Sequence, residues 1–246
     1  MSFISTNLRR CVFASGVALA IALGSCQSPK PGYRHEGESA DQQLLNLVDR
    51  LKRYSDPAAQ SADSDRKDQG AVDVGSIENE LRRLNLEFPS HAPTLFVLAN
   101  LTMERGRKER SAAYLDDLFA IQLINPEAGL LRSKIAIMEG NLNAASRVLV
   151  QQVRYTPDHP GLREALASVH FMAGRLEEAR EELDMAERLG APIWRVAFNY
   201  GLIEEAADAP ERAVFYFGKS LEHKPDFAPA RSRRTGLLAK YGDLIR

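Results

Sequence analysis

Gly106, Gly140, Gly174 and Gly242 fall on one register of 34 residues, and the missing member of that series is Asp208. A fixed period of this length marks a repeat architecture, in which each unit is one supersecondary element that cannot bury its apolar face without its neighbours. Companion positions repeat with the glycines. Five residues past each turn stand Ser111, Ala145, Ala179 and Ala213, and nine past it Leu115, Leu149, Leu183 and Phe217. Seventeen past it come Pro157 and Pro225, with Pro89 one period ahead of the first full unit. A glycine accepts the positive φ of a tight bend between two helices, and a small residue lets those helices approach. A large apolar side chain one turn later fills the space between them, and a proline ends the second helix. At the exception, Asp208 followed by Glu211 reads as a capping arrangement for the next helix.

These residues resemble the tetratricopeptide repeat (TPR), in which each unit is a pair of antiparallel helices. The resemblance implies an all-α fold, a right-handed superhelical stack of such pairs. The register places pairs at 92–105 with 108–124, 127–139 with 142–155, 160–173 with 176–189, and 194–207 with 210–223. A closing helix follows at 227–241, whose Arg231, Arg233, Arg234 and Lys240 suit a polar cap on the end of the stack. Helical spacing of Leu44, Leu45, Leu47, Val48 and Leu51 predicts a helix at 40–54, which with 76–88 makes an irregular first pair. Between them, 55–75 is rich in Asp, Ser, Gln and Gly without an apolar stripe and reads as a mobile loop. The organisation expected is therefore 40–90 for the irregular pair and 91–246 for the repeats with their capping helix.

The first 25 residues read as an address. Arg9 and Arg10 precede the uncharged stretch from Cys11 to Gly24, a signal-peptide layout. At 1.5 Å per residue that stretch reaches roughly 21 Å, short of a bilayer core of roughly 30 Å. Leu23, Gly24, Ser25 and Cys26 resemble the bacterial lipobox, which implies cleavage before Cys26 and lipidation of its thiol; the alternative is a free thiol after ordinary cleavage. The family rule for inner-membrane retention, an Asp after the cysteine, is not met because Gln27 follows, which implies the outer membrane facing the periplasm in a host with two membranes. Residues 26–39, with Pro29, Pro31, Gly32 and Gly37, read as a lipidated N-terminus and flexible tether.

With 32 Lys+Arg against 33 Asp+Glu, no basic excess is available for nucleic acid. The only cysteines, Cys11 and Cys26, make no disulfide framework or thiolate metal cluster. The five histidines, His35, His91, His159, His170 and His223, are not spaced to share one helical face around a metal. Neither a phosphate-binding glycine loop nor a nucleophile elbow is present. The sequence thus predicts no enzyme, no metal, no cofactor and no small-molecule substrate.

The resemblance implies instead a concave surface lined by first helices that holds an extended peptide or a helix of a protein partner in the cell envelope. Its groove positions map to Phe96, Asn100, Met103, Leu130, Lys134 and Met138, then to Glu164, Ser168, Phe171, Met172, Phe198, Leu202 and Glu205. The aromatic and Met positions fit packing between repeats as well as contact with a ligand. The full basic-and-Asn set of the chaperone-tail-binding subfamily is absent. The reading is a membrane-anchored, non-catalytic adaptor for assembly, localisation or turnover of an envelope complex; the alternatives are a self-associating or wall-linked structural lipoprotein and an unrecognised enzyme.

Overall fold

The computed structural model describes residues 39–55 and 74–242, so the address, all but the end of the tether and nearly all of the 55–75 loop lie outside the described residues. All eleven elements among the described residues are helices. First helices alternate with second helices: α1 (Ala40–Ser55) with α2 (Val74–Glu87), α3 (Ala92–Glu104) with α4 (Lys108–Ile121), and α5 (Pro126–Met138) with α6 (Leu142–Tyr155). Next come α7 (Pro160–Met172) with α8 (Leu176–Arg188) and α9 (Ile193–Ala206) with α10 (Pro210–His223), closed by α11 (Ala228–Tyr241).

From α3 onward, each bend between partner helices is made by one left-handed residue. Gly106, Gly140, Gly174 and Asp208 have φ of 74°, 73°, 74° and 56°. The N–H one residue later reaches back to a carbonyl five positions earlier: Arg107 to Thr102, Asn141 to Ala136, Arg175 to His170 and Ala209 to Glu204, all at 2.8–2.9 Å. This satisfies carbonyls that the end of a helix would leave orphaned. Asp208 therefore stands in for the glycine rather than capping the next helix, because Ala209 occupies the cap of α10 and no side chain caps that helix by a hydrogen bond. Gly242 also departs from the series. It ends α11 at φ −55°, right-handed, with a Cβ position only 2.5 Å from the Leu238 carbonyl. The other departure is α4, which stops at Ile121 instead of 124 because Gln122 turns extended and Asn125 caps α5 by accepting from the Ala128 N–H at 2.9 Å.

The small and large companion positions form the core. Ser111, Ala145, Ala179 and Ala213 are fully buried, as are Leu115, Leu149, Leu183 and Phe217. Burying each such Leu contributes about 1.5–3 kcal/mol. Gly201 makes room for the core of the last pair: a Cβ there would lie 2.6 Å from the Phe217 ring. The first pair is also stapled by charge, with Arg50 donating to both oxygens of Glu80 at 2.6 and 2.9 Å. No helix among the described residues is long and apolar enough to cross a membrane.

Candidate protein-binding face

First helices pack on their own second helices; α5 also touches α7 and α7 touches α9, and α3 shares the core of Leu95, Ala99, Ala128 and Ile135 with α5, so α3, α5, α7 and α9 form a row. The thirteen groove positions lie on that row and differ in what they offer. Met138 and Met172, each in the last turn of its helix and 34 residues apart, are half exposed at 51% and 48%. Phe96 and Met103 are half-buried against the core of the α3–α5 region, Leu130 against the α5–α7 core, and Phe171 against the α7–α9 core. Phe198 and Leu202 pack on the last cluster, where Phe198 meets Phe217 at 5.6 Å and Phe227 at 5.0 Å between ring centres.

The polar positions are engaged within the protein. The Asn100 amide donates to the Phe96 carbonyl and the Ser168 hydroxyl to the Glu164 carbonyl, both at 2.9 Å and both one turn back on their own helix. Glu164 is buried, and burial pushes its carboxyl up, with Arg195 of the next first helix pulling the other way from 2.7 Å. Glu205 accepts two bonds from Arg233 of α11 at 3.0 Å. Beside that pair, Asp208, Ser232, Lys240 and Tyr241 line a cleft of about 400 Å³. Lys134 is half-buried near Glu104, whose carboxyl is raised by burial and eased down by the lysine.

A family model of the tetratricopeptide repeat matches residues 136–191. Among solved structures, MamA from Desulfovibrio magneticus RS-1 aligns with 79% of this chain and 99% of its own at 14% identity and a TM-score of 0.62. The Thermus thermophilus protein TTC0263, a thermophilic TPR protein, aligns over 82% and 100% at 18% identity with a TM-score of 0.59. YrrB, described as a TPR protein with an unusual peptide-binding site, aligns over 80% and 100% at 12% identity with a TM-score of 0.56. This is a tetratricopeptide-repeat fold. No curated protein matches the chain by sequence.

Ion pairs beyond the groove positions join the units of this stack to one another. Glu164–Arg195 and Glu205–Arg233 join neighbouring units at separations of 31 and 28 residues. Arg105 and Arg107 reach Glu78 from 27 and 29 residues away. The sequence signal for these rungs was opposite charge at slightly less than one TPR period, which a search at 34 alone passes over. A second cleft, of about 300 Å³, lies between α8, α9 and α10. Its floor is Glu204, fully buried, taking Arg180 and Arg212 on one carboxylate oxygen, while the Tyr200 hydroxyl donates to Asp184. Burial and that carboxylate push the Tyr200 phenol far above its usual value. Among the described residues, no group of three or more His, Cys, Asp or Glu converges on a metal position.

Proposed function

We propose that this protein is a non-catalytic adaptor, held to a bacterial membrane through lipid on Cys26, whose first-helix row binds another protein of the cell envelope as a helix or an extended peptide. The observation that carries the reading is the pair Met138 and Met172, half exposed one period apart on a row whose Glu164 and Glu205 are already paired with arginines. Flexible thioethers at helical ends accept apolar side chains of varied shape, and the flanking rungs keep the row from collapsing. The lipid anchor is supported by the Leu23–Cys26 sequence. With Gln27 following, the location proposed is the outer membrane facing the periplasm where the host has two membranes.

Crosslinking in the native cell followed by mass spectrometry tests the binding face. A Met138→Glu, Met172→Glu double variant, at exposed positions that leave the core intact, is expected to lose a crosslinked protein that the parent captures. Retention of that partner at parental yield with unchanged circular dichroism refutes the assignment. Cys26→Ala is expected to abolish lipid incorporation and with it membrane attachment of the processed chain.

A further inference from the structure

In an antiparallel stack the first residues of every first helix and the last residues of every second helix lie along one edge. Contacts between connections bear this out. The His91 Nε2 lies 3.0 Å from Asp41, linking the starts of α1 and α3, and the His159 Nε2 lies 3.6 Å from Glu127, linking the starts of α5 and α7. This connection edge carries Leu86, Ile121, Leu123, Ile124, Tyr155 and Ile193, at 78%, 44%, 48%, 39%, 49% and 42% exposure. They are half of the twelve large apolar side chains exposed among the described residues. Large apolar side chains gathered on one surface mark an interaction site, whereas scattered ones need no explanation.

The central part of this edge is built to stay put. Gln152, buried near the end of α6, donates to the Leu123 carbonyl and accepts from the Asn125 N–H, both at 2.9 Å. Those two bonds hold the connection that displays Leu123 and Ile124 against the helix ending in Tyr155. The chain also enters the folded body here, since α1 begins at Ala40 and Asp41 is held by His91. Thirteen residues, 27–39, separate Cys26 from Ala40, a span of at most about 45 Å when fully extended.

We propose that the connection edge is a lipid-facing surface, its Leu, Ile and Tyr side chains seated in the headgroup and upper acyl region of the membrane that holds the Cys26 lipid. The inference rests on the lipoprotein reading above. It deepens that reading by giving the body an orientation: helices stand upright on the bilayer, and the first-helix row faces sideways toward a partner. Amphipathic Tyr suits the interface, and aliphatic side chains gain by leaving water. The exposed charges along this edge, Asp41, Glu127 and Asp158 beside Arg154, hold no basic excess for anionic headgroups, so the attraction is apolar.

The test places an environment-sensitive nitrobenzoxadiazole label on Ile124→Cys, and separately on Phe215→Cys of α10 as an exposed control, in the full chain processed by a bacterial host. The labelled protein is reconstituted in vesicles of phosphatidylethanolamine and phosphatidylglycerol at about 3:1. Blue-shifted emission at 124, quenched by nitroxide-bearing lipids and unchanged in purely zwitterionic vesicles, with water-like emission at 215, is the expected result. A Leu123→Glu, Tyr155→Glu double variant is expected to reduce the quenching about tenfold while circular dichroism stays the same. Water-like emission at both sites overturns the proposal, as does a blue shift that lipid nitroxides leave unquenched, because the edge would then be covered by protein. Label stoichiometry reports separately on the anchor: one label per chain means that Cys26 is blocked, and two mean that its thiol is free and the lipoprotein reading fails.

Discussion

At the turn edge, four bends at equal spacing close with one left-handed residue each and the same backbone bond, from Arg107 to Thr102 through Ala209 to Glu204. At the connection edge only three of the five links are alike: those before α3, α7 and α11 each close with an N–H on a carbonyl three residues back, His91 to Phe88, His159 to Thr156 and Phe227 to Lys224. Asn125 caps α5 with an amide oxygen, His159 caps α7 with a ring nitrogen, and α9 follows a left-handed Gly190 and starts after Pro192. The turn edge is thus fixed throughout by one backbone conformation, whereas the connection edge mixes repeated backbone turns with links that depend on particular side chains, above all the one before α5. Errors at the two edges should therefore differ in kind, strain at one and unsatisfied polar groups at the other.

The first bend is the place where the turn edge borrows a side chain, and the largest effect is expected there. Glu78 is buried at 2% exposure and receives Arg82, Arg105 and Arg107, the last two flanking Gly106. Burial raises its carboxyl, but the hydrogen bonds from Arg107 and Arg105 outweigh this and hold it below the ordinary range. Glu78→Gln removes the charge that joins three guanidinium groups and is expected to cost about 3 kcal/mol at neutral pH in denaturant unfolding. The folded-state value is depressed, so the stabilisation is full above the unfolded carboxyl value of about 4.3 and disappears as pH falls through the lower folded value. The gap between parent and variant should accordingly close on acidification; a constant gap from pH 7 downward would show that Glu78 acts only by packing.

Next in size is the connection edge. Gln152→Ala strands the Leu123 carbonyl and the Asn125 N–H, an expected loss of about 2–3 kcal/mol with faster amide exchange confined to the α4–α5 connection. Gly129→Ala tests the same device from the other side, because its Cβ would lie 2.6 Å from the Gln152 Cγ. The two losses should be strongly non-additive, and simple addition would show that Gln152 does not anchor the link.

This contrast also explains what could be read from residues alone. The turn edge was legible because a positive φ selects glycine, and a selected glycine recurring every 34 residues is visible without coordinates. Ala179 and Leu183 were legible for the same reason, since packing at a fixed distance from the bend repeats with it. The failures share a physical cause. Asp208 tolerates left-handed backbone without being glycine, so it looked like a cap, and Gly242 sits where helix α11 ends without a left-handed bend. The apolar pattern runs α4 three residues too far because Leu123 and Ile124 continue it, whereas the helix is broken by a partner 29 residues away, the Gln152 side chain. Among the groove positions, the row was legible from the register, but the state of each was not. Glu164 and Glu205 are tied up by Arg195 and Arg233 at separations that the repeat period does not announce.

Returning to the turn edge, Gly174→Val forces a β-branched residue to φ 74° although its Cβ would meet nothing within 4 Å. The cost is then backbone strain alone, about 2 kcal/mol, and should appear as a lower unfolding midpoint with an unchanged denaturant slope. The smallest and most discriminating effect has the opposite sign. Asp208 already carries that strain at φ 56°, and Asp208→Gly relieves it. Glycine also gives the unfolded chain more freedom, which takes back part of the gain, so the expected net stabilisation is about 0.5 kcal/mol. Because Asp208 lines the cleft beside Glu205 and Lys240 without capping α10, no helical content should be lost. A destabilised variant with a frayed α10 would mean that the carboxylate, and not the bend, is what the fourth turn needs.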